Sequence, residues 1–385
     1  MSGKRGSADR DGRYGGAFSS VIAGIGDLFT ARRTEPLLRE EDRIDGKSCL
    51  VTGASSGLGF AVACELVRRG GRVVVASRTA GTELAERIHE TVGRTRAADA
   101  AGVQAEPLDL SRLESVADFV ERLKEQELRL DIAVFNAAVV AARSRETPDG
   151  FDEMVQVNFL GTYLLVRKLL EAGVIATGHG GAGRPRLVFV SSEAHRSSPD
   201  ISPENPVAVE PYGMSGSMRY YGYSKLLLTT FTEELARRLG HGTTPRIEDE
   251  FEDDSVDKSG NRPGLALRNA PRHAAPDDDG EGPAASVLTL CPGAMNTGIA
   301  REAPGIFQPL LRGVFNLFFR SPEEAAAPVV YLAVSPEIER RTGDYLHLTT
   351  RKEKDPRALD PETGARLWRQ SERLLRRYFS QSSPG

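Results

Sequence analysis

The sequence predicts an α/β protein: a doubly wound parallel sheet in a single domain. Three observations lead there. Short apolar runs alternate with amphipathic segments from Lys47 onward. The runs lack a clear period of two, as strands covered on both faces do. The first run passes through a glycine-rich turn into a helix. Right-handed crossovers between such strands put helices on both faces and ligands at the carboxyl ends of the strands.

Each element follows in order. "SCLVTG" (48–53) is a buried-strand pattern, and "LGFAVACELVRRG" (58–70) is a helix ended by Gly70 and Gly71. "RVVVAS" (72–77) is the second strand, 81–95 a helix, and "VQAEPLDL" (103–110) the third strand. The helix over 111–126 opens with Ser111 and has Glu114 three residues later, which predicts a capping box. "DIAVFNAA" (131–138), a long helix over 150–173, "RLVFVSS" (186–192), a helix over 218–239, "SVLTLCPG" (286–293) and "GDYLHL" (343–348) complete the alternation. The domain therefore spans 46–348, between an N-terminal extension (1–45) and a C-terminal helix and tail (349–385). Residues 240–285 break the pattern. They hold eleven acidic and five basic residues and few large apolar ones. Such a stretch cannot bury enough to order itself, so it reads as a disordered acidic insert. An acidic docking site for a basic partner is the sharper alternative.

Composition excludes several classes. A net charge of −4 over 385 residues predicts no nucleic-acid binding. Cys49, Cys64 and Cys291 are odd in number and far apart, which fits a reducing, cytoplasmic setting. The histidines lack zinc-ligand spacing. "AFSSVIAGIGDLF" (17–29) is too short to span a bilayer and carries Asp27. It has neither the charged start nor the cleavage site of a signal peptide. Its apolar residues Phe18, Val21, Ile22, Ile25, Leu28 and Phe29 share a helical face. That face predicts docking on the protein's own surface or, alternatively, peripheral membrane contact.

Two stretches carry chemistry. "TGASSGLG" (52–59) sets Gly53, Gly57 and Gly59 between a strand and a helix. Glycines there let the backbone approach a pyrophosphate, and the helix N-terminus offers free N–H groups and positive dipole. "RYYGYSK" (219–225) puts three tyrosines beside one lysine. Residues four apart share a helical face, so Tyr221, not Tyr220 or Tyr223, feels Lys225. A free phenol, with a pKa of about 10, is a poor base at neutral pH. Lys225 is expected to lower the pKa of Tyr221. Tyr220 and Tyr223 read as packing residues or a substrate wall.

With these motifs in order, the sequence resembles the short-chain dehydrogenase/reductase family over about 46–239 and 286–348. The resemblance implies a Rossmann fold and a nicotinamide cofactor. Gly53, Gly57 and Gly59 match the family's glycine motif, with Ser55, Ser56 and Leu58 in the same implied cofactor loop. Asp109, beside Leu110, matches its adenine-contacting acid. Asn136-Ala137-Ala138 matches its Asn-Ala-Gly motif with the last glycine replaced. Asn158, Ser192, Tyr221 and Lys225 match its catalytic positions, and Pro292, Gly293 and Thr297 its nicotinamide clamp. By resemblance, Lys225 also binds the nicotinamide ribose, and Asn158 kinks its helix and holds a water that relays protons. Ser192 can donate to a carbonyl oxygen beside Tyr221. The helices over 150–173 and 218–239 are those through which relatives associate, which implies a homo-oligomer.

Strand two ends in "VVVASRT" (73–79), with Arg78 and no acid, so NADP(H) is favoured and NAD(H) is the alternative. The long Ser192–Tyr221 interval resembles the retinol dehydrogenase-like branch. After "CPGAMNTG", residues 305–326 include Ile306, Phe307, Leu310, Leu311, Val314, Phe315 and Phe318. They read as an apolar lid over a hydrophobic alcohol or carbonyl substrate. The expected activity is interconversion of the two. The alternatives are a catalytically silent NADP(H)-sensing scaffold that recruits a partner through its insert, and a protochlorophyllide reductase-like double-bond reductase. The second is weakened because no cysteine lies between Cys64 and Cys291.

Overall fold

The computed structural model describes residues 38–93, 102–177, 183–202, 204–240, 284–293, 321–339 and 341–382. The amphipathic stretch 17–29, the acidic insert except its ends, residues 305–320 of the expected lid, and Thr297 lie outside the described residues.

The described strands form one eight-stranded sheet in the order β3-β2-β1-β4-β5-β6-β7-β8. They are β1 (Ser48–Thr52), β2 (Arg72–Ser77), β3 (Val103–Pro107), β4 (Ile132–Phe135), β5 (Arg186–Val190), β6 (Ser286–Cys291), β7 (Tyr345–His347) and β8 (Thr350–Arg351). Every pairing is parallel except β7 with β8, a short antiparallel return beyond the expected seventh strand. Alternate residues of each strand serve two separate cores. Leu50, Val74, Phe135 and Phe189 face one; Val51, Val75, Val134 and Val190 face the other. Both faces are apolar, which is why the runs show no alternation in the sequence.

One face carries α1 (Gly57–Arg68), α2 (Thr82–Val92) and, later in the chain, α7 (Pro322–Val334). The other carries α3 (Leu113–Glu125), the helix formed by α4 (Glu153–Val155) and α5 (Gly161–Glu171), α6 (Met214–Gly240) and α9 (Pro361–Ser382). A short α8 (Pro356–Leu359) precedes α9.

Three expectations are corrected. The capping box at Ser111 and Glu114 does not form: α3 starts two residues later, at Leu113. The Ser111 hydroxyl instead donates to Asp109 Oδ1 at 2.6 Å, and Asp149, 36 residues away in sequence, accepts from Leu113 N–H at 2.7 Å. A tertiary carboxylate thus displaces the local cap. The helix over 150–173 is interrupted by a π-helical stretch, Gln156–Leu160. The last part of the expected lid, 321–326, begins α7. There Ser321 and Glu324 form a capping box, and Ala325 and Ala326 are buried. Among the described residues no helix is long and apolar enough to cross a membrane.

Candidate active site

The site lies at the carboxyl ends of β1, β2, β4, β5 and β6, where the strand order reverses at β1 and β4. Gly53 (φ +68°) and Gly57 (φ +58°) occupy the left-handed region. A Cβ on Gly53 would come within 2.8 Å of Ala137 Cα, whereas one on Gly57 would meet open space. Gly57 is therefore needed for conformation and leaves a vacant approach to the backbone. Ser56 caps α1 with no side-chain hydrogen bond, and the first turn has no acid, so the positive helix end faces the loop. Asn136 holds the loop by donating from Nδ2 to Thr52 O at 3.0 Å. Ala138, where the motif has glycine, is exposed and has no positive φ, so the change carries no backbone strain.

At the end of β2, Arg78 is exposed and Ser77 is 6% exposed. The Ser77 hydroxyl is buried with no partner among the described residues. An orphaned hydroxyl, an uncapped helix and the open glycine turn are what a dinucleotide's ribose and phosphates would fill, so the residues present fit such a cofactor. Sequence reasoning missed Arg87. From α2 it donates to Ser55 O and lies 4.5 Å from the centre of the Phe60 ring. A cation halfway along a helix gives no signal of what it reaches. Asp109 stands beyond β3 with Oδ1 engaged by Ser111, and Leu110 and Leu58 are buried.

Tyr221 and Lys225 fall on one face of α6, with Nζ 5.9 Å from the phenol ring centre. Lys225 is 2% exposed and donates to Val190 O at 2.9 Å, at the end of β5. Burial lowers its pKa to about 8, against an opposing influence from Cys291. Tyr221 departs from expectation. Burial, with a smaller contribution from Cys291, pushes it up to about 12, and the hydrogen bond from Ser192 pulls the other way. Desolvation outweighs that hydrogen bond. The other phenols pack: Tyr220 stacks on Tyr212 at 4.7 Å, and Tyr223 donates to Pro206 O at 2.8 Å.

Ser192 follows β5 and opens a 3-10 turn, Glu193–Ser197. Its Oγ accepts from Ala194 N–H at 3.2 Å, leaving the hydroxyl proton to donate elsewhere. His195, fully buried, completes the seat. Its Nδ1 lies 2.6 Å from Ser192 O and its Nε2 3.3 Å from Asp355 N. A carbonyl can only accept and an N–H can only donate, so Nδ1 carries the proton. Burial lowers the imidazole to about 4 and keeps it neutral. Glu193 binds Tyr345 at 2.7 Å and Lys352 at 2.8 Å. Burial alone would raise its pKa, but these bonds and the nearby Arg196 outweigh it and hold the carboxyl at about 2. Arg357 donates to Ser198 O at 2.8 Å and His195 O at 3.2 Å. The C-terminal segment thus straps the serine turn in place, a contact across about 160 residues that no local pattern announces.

The π-helical stretch turns Asn158 inward. Its Oδ1 accepts from Val139 N–H at 2.7 Å; its Nδ2 donates to Val139 O and Ser224 Oγ, each at 2.9 Å. These bonds tie the segment after β4 to α6. Cys291 ends β6, buried, and accepts from Glu193 N–H at 3.4 Å. Burial, with the Glu193 charge, pushes its thiol up to about 11. Pro292 is buried, and Gly293 (φ +87°) abuts Leu348, where a Cβ would come within 2.5 Å of Cδ2. Of the residues expected from the sequence, Lys225 lies beside Tyr221, Ser192 is bonded to Tyr221, and Asn158 is tied to the same helix through Ser224.

Comparison with known proteins agrees with this geometry. The short chain dehydrogenase family model matches residues 47–202. Retinol dehydrogenase 13 of Mus musculus is 32% identical over 89% of this chain and 87% of its own length. Retinol dehydrogenase 14 of Homo sapiens is 31% identical over 93% and 97%. Polyprenol dehydrogenase of Mus musculus is 32% identical over 86% and 84%. Among solved structures, an uncharacterised protein from Mycobacterium paratuberculosis superposes with a TM-score of 0.58 at 24% identity, covering 87% of this chain and 95% of that one. The family match and these relatives define an oxidoreductase of alcohols and carbonyls that uses a nicotinamide cofactor. The chain belongs to the short-chain dehydrogenase/reductase family, in its retinol dehydrogenase-like branch.

Proposed function

We propose that the protein is an NADP(H)-dependent oxidoreductase that interconverts a hydrophobic alcohol and its aldehyde or ketone. The observation that carries this reading is the Tyr221–Lys225 pair on one helical face, with Ser192 bonded to the phenol. The cofactor supplies or takes the hydride. In reduction, the Ser192 hydroxyl holds the carbonyl oxygen and the Tyr221 hydroxyl gives it a proton. Tyr221 is protonated at neutral pH, so it has the proton to give. In oxidation the same oxygen takes the alcohol's proton, and the charge of Lys225 favours the phenolate. Lys225 has donors left for the nicotinamide ribose after its bond to Val190. Asn158 acts as a positioning residue through its side chain. Its amide is engaged by Val139 and Ser224, so a water relay would run through backbone groups of the π-helical stretch. Gly53, Ser56, Gly57 and Gly59 would cradle the pyrophosphate, and Ser77 and Arg78 would read the 2′-phosphate.

The similarity to retinol and polyprenol dehydrogenases supports an apolar substrate. The buried free thiols of Cys49, Cys64 and Cys291 support a reducing compartment, cytoplasmic or on a membrane facing it. Nicotinamide absorbance measured with a panel of retinoid, isoprenoid and aliphatic alcohols and aldehydes tests the activity. Tyr221→Phe should lower kcat by about 10²–10⁴-fold while cofactor binding, read by fluorescence titration, is retained. Equal rates for variant and parent would sink the mechanism; tight cofactor binding without turnover in the parent would favour a scaffold. Arg78→Ala should raise KM for NADP(H) by about tenfold or more and leave that for NAD(H) nearly constant. An unchanged ratio of the two would end the cofactor assignment.

A further inference from the structure

The turn that opens at Ser192 is held from two sides. On one side it packs against α6, where a Cβ on Gly222 would collide with Ala194 O. On the other lies the segment that follows β8. Lys354 is buried and anchors that segment to α6 through Glu233 at 2.6 Å. Arg357 donates to the carbonyls of His195, Arg196 and Ser198, and both carboxylate oxygens of Asp355 hold its guanidinium. His195 joins the two halves, with the Tyr345 ring edge-on at 5.6 Å. Its Nδ1–H donates to Ser192 O at 2.6 Å, and its Nε2 accepts from Asp355 N–H at 3.3 Å. Ser192 O already accepts from His195 N–H at 3.1 Å, which closes the turn. The ring is thus a second tether, from Ser192 O to the Asp355 backbone.

Resting on the reading above, we propose that His195 is a positioning residue for the reaction: its ring carries the seat of the C-terminal segment to Ser192 and so fixes where the serine hydroxyl meets the substrate oxygen. Asp355 and Arg357, beyond the last strand of the sheet, act through it. The two ring bonds have opposite polarity, and the proton on Nδ1 lets one side chain make both. Ser192 Oγ accepts from Ala194 N–H within the same turn, so the direction of the hydroxyl follows the backbone that the ring holds. A displacement of about 1 Å in a group that orients the reacting atoms can cost about 10²-fold in rate.

Substitution at His195 in the full chain separates the two bonds. An asparagine amide reaches the place of Nδ1 and can donate to Ser192 O; a glutamine carbonyl reaches that of Nε2 and can accept from Asp355 N–H. His195→Gln should lower kcat about tenfold while KM for the cofactor stays within about twofold. His195→Asn should regain part of that loss, to about threefold below the parent. In a Ser192→Ala background His195→Gln should cost less than about twofold, because the hydroxyl it positions is gone. Equal losses in the two variants, or the full loss repeated without that hydroxyl, would reduce the ring to packing and overturn the proposal. Arg357→Leu, which leaves the ring in place, is carried through the same cycle and decides the matter if the His195 variants do not fold. A loss confined to the chain that has Ser192 supports the proposal; an equal loss in both backgrounds overturns it. A parent that turns over no alcohol or aldehyde discards the oxidoreductase reading and this proposal with it, whereas turnover with additive losses discards the proposal alone.

Discussion

At the scale of single residues, burial governs the site. Tyr221 has the cationic neighbour that helical spacing requires, yet its phenol sits at about 12 because the hydroxyl is desolvated. A periodicity argument finds the partner but cannot weigh desolvation, which depends on elements that meet only in three dimensions. Glu193 shows the opposite balance. Its folded pKa, about 2, lies below the usual glutamate value of 4.5. Its ionised form thus stabilises the fold above about pH 4.5, and that contribution is lost as pH falls toward about 2. Glu193→Gln should destabilise the protein at pH 7 by roughly 2–3 kcal/mol and flatten its loss of stability between pH 5 and 3. Denaturant midpoints across that range measure it; parallel curves for variant and parent would refute the assigned network. Glu193, His195 and Arg87 were invisible in the sequence because each works through a partner far along the chain.

At the scale of elements, strands were readable and helix starts were not. Apolar runs located all seven parallel strands to within a few residues, since a strand buried on both faces leaves no choice of residue type. The start of α3 was misplaced because its cap comes from Asp149 rather than from Ser111. The π-helical stretch was foreseen only as a kink, through the family resemblance. Its packing depends on Gly161, where a Cβ would meet Leu110 O at 2.6 Å. Gly161→Ala should cost about 1–3 kcal/mol and lower kcat, as Asn158 is carried out of register with Val139. Hydrogen exchange at Val139 N–H reports this directly. Unchanged protection there, with unchanged stability, would show that the glycine is incidental.

At the scale of the whole molecule, the C-terminal helix matters most. The sequence marked a helix and tail after 349 without saying where they dock. In the fold, α9 lies along α5 and α6, the two helices through which the resemblance implies association. Trp368, 1% exposed, packs 5.3 Å from Tyr163 and 5.8 Å from Phe231, and Glu372 binds Arg167 at 2.9 Å. Trp368→Ala should cost about 3–5 kcal/mol in urea unfolding, and a loss below about 1 kcal/mol would mean that the helix is not docked in solution. The same region holds the ends of the acidic stretch. α6 stops at Gly240, and Ala284 N–H reaches back to Leu239 O at 2.9 Å before β6 begins. Leu239 and Ala284, 45 residues apart in sequence, thus stand side by side, joined by that hydrogen bond. Whatever the length of sequence between those two points, the strand after it starts from the same place. Evolution, or an engineer grafting a fluorescent reporter there, can therefore rewrite that passage without redrawing the sheet.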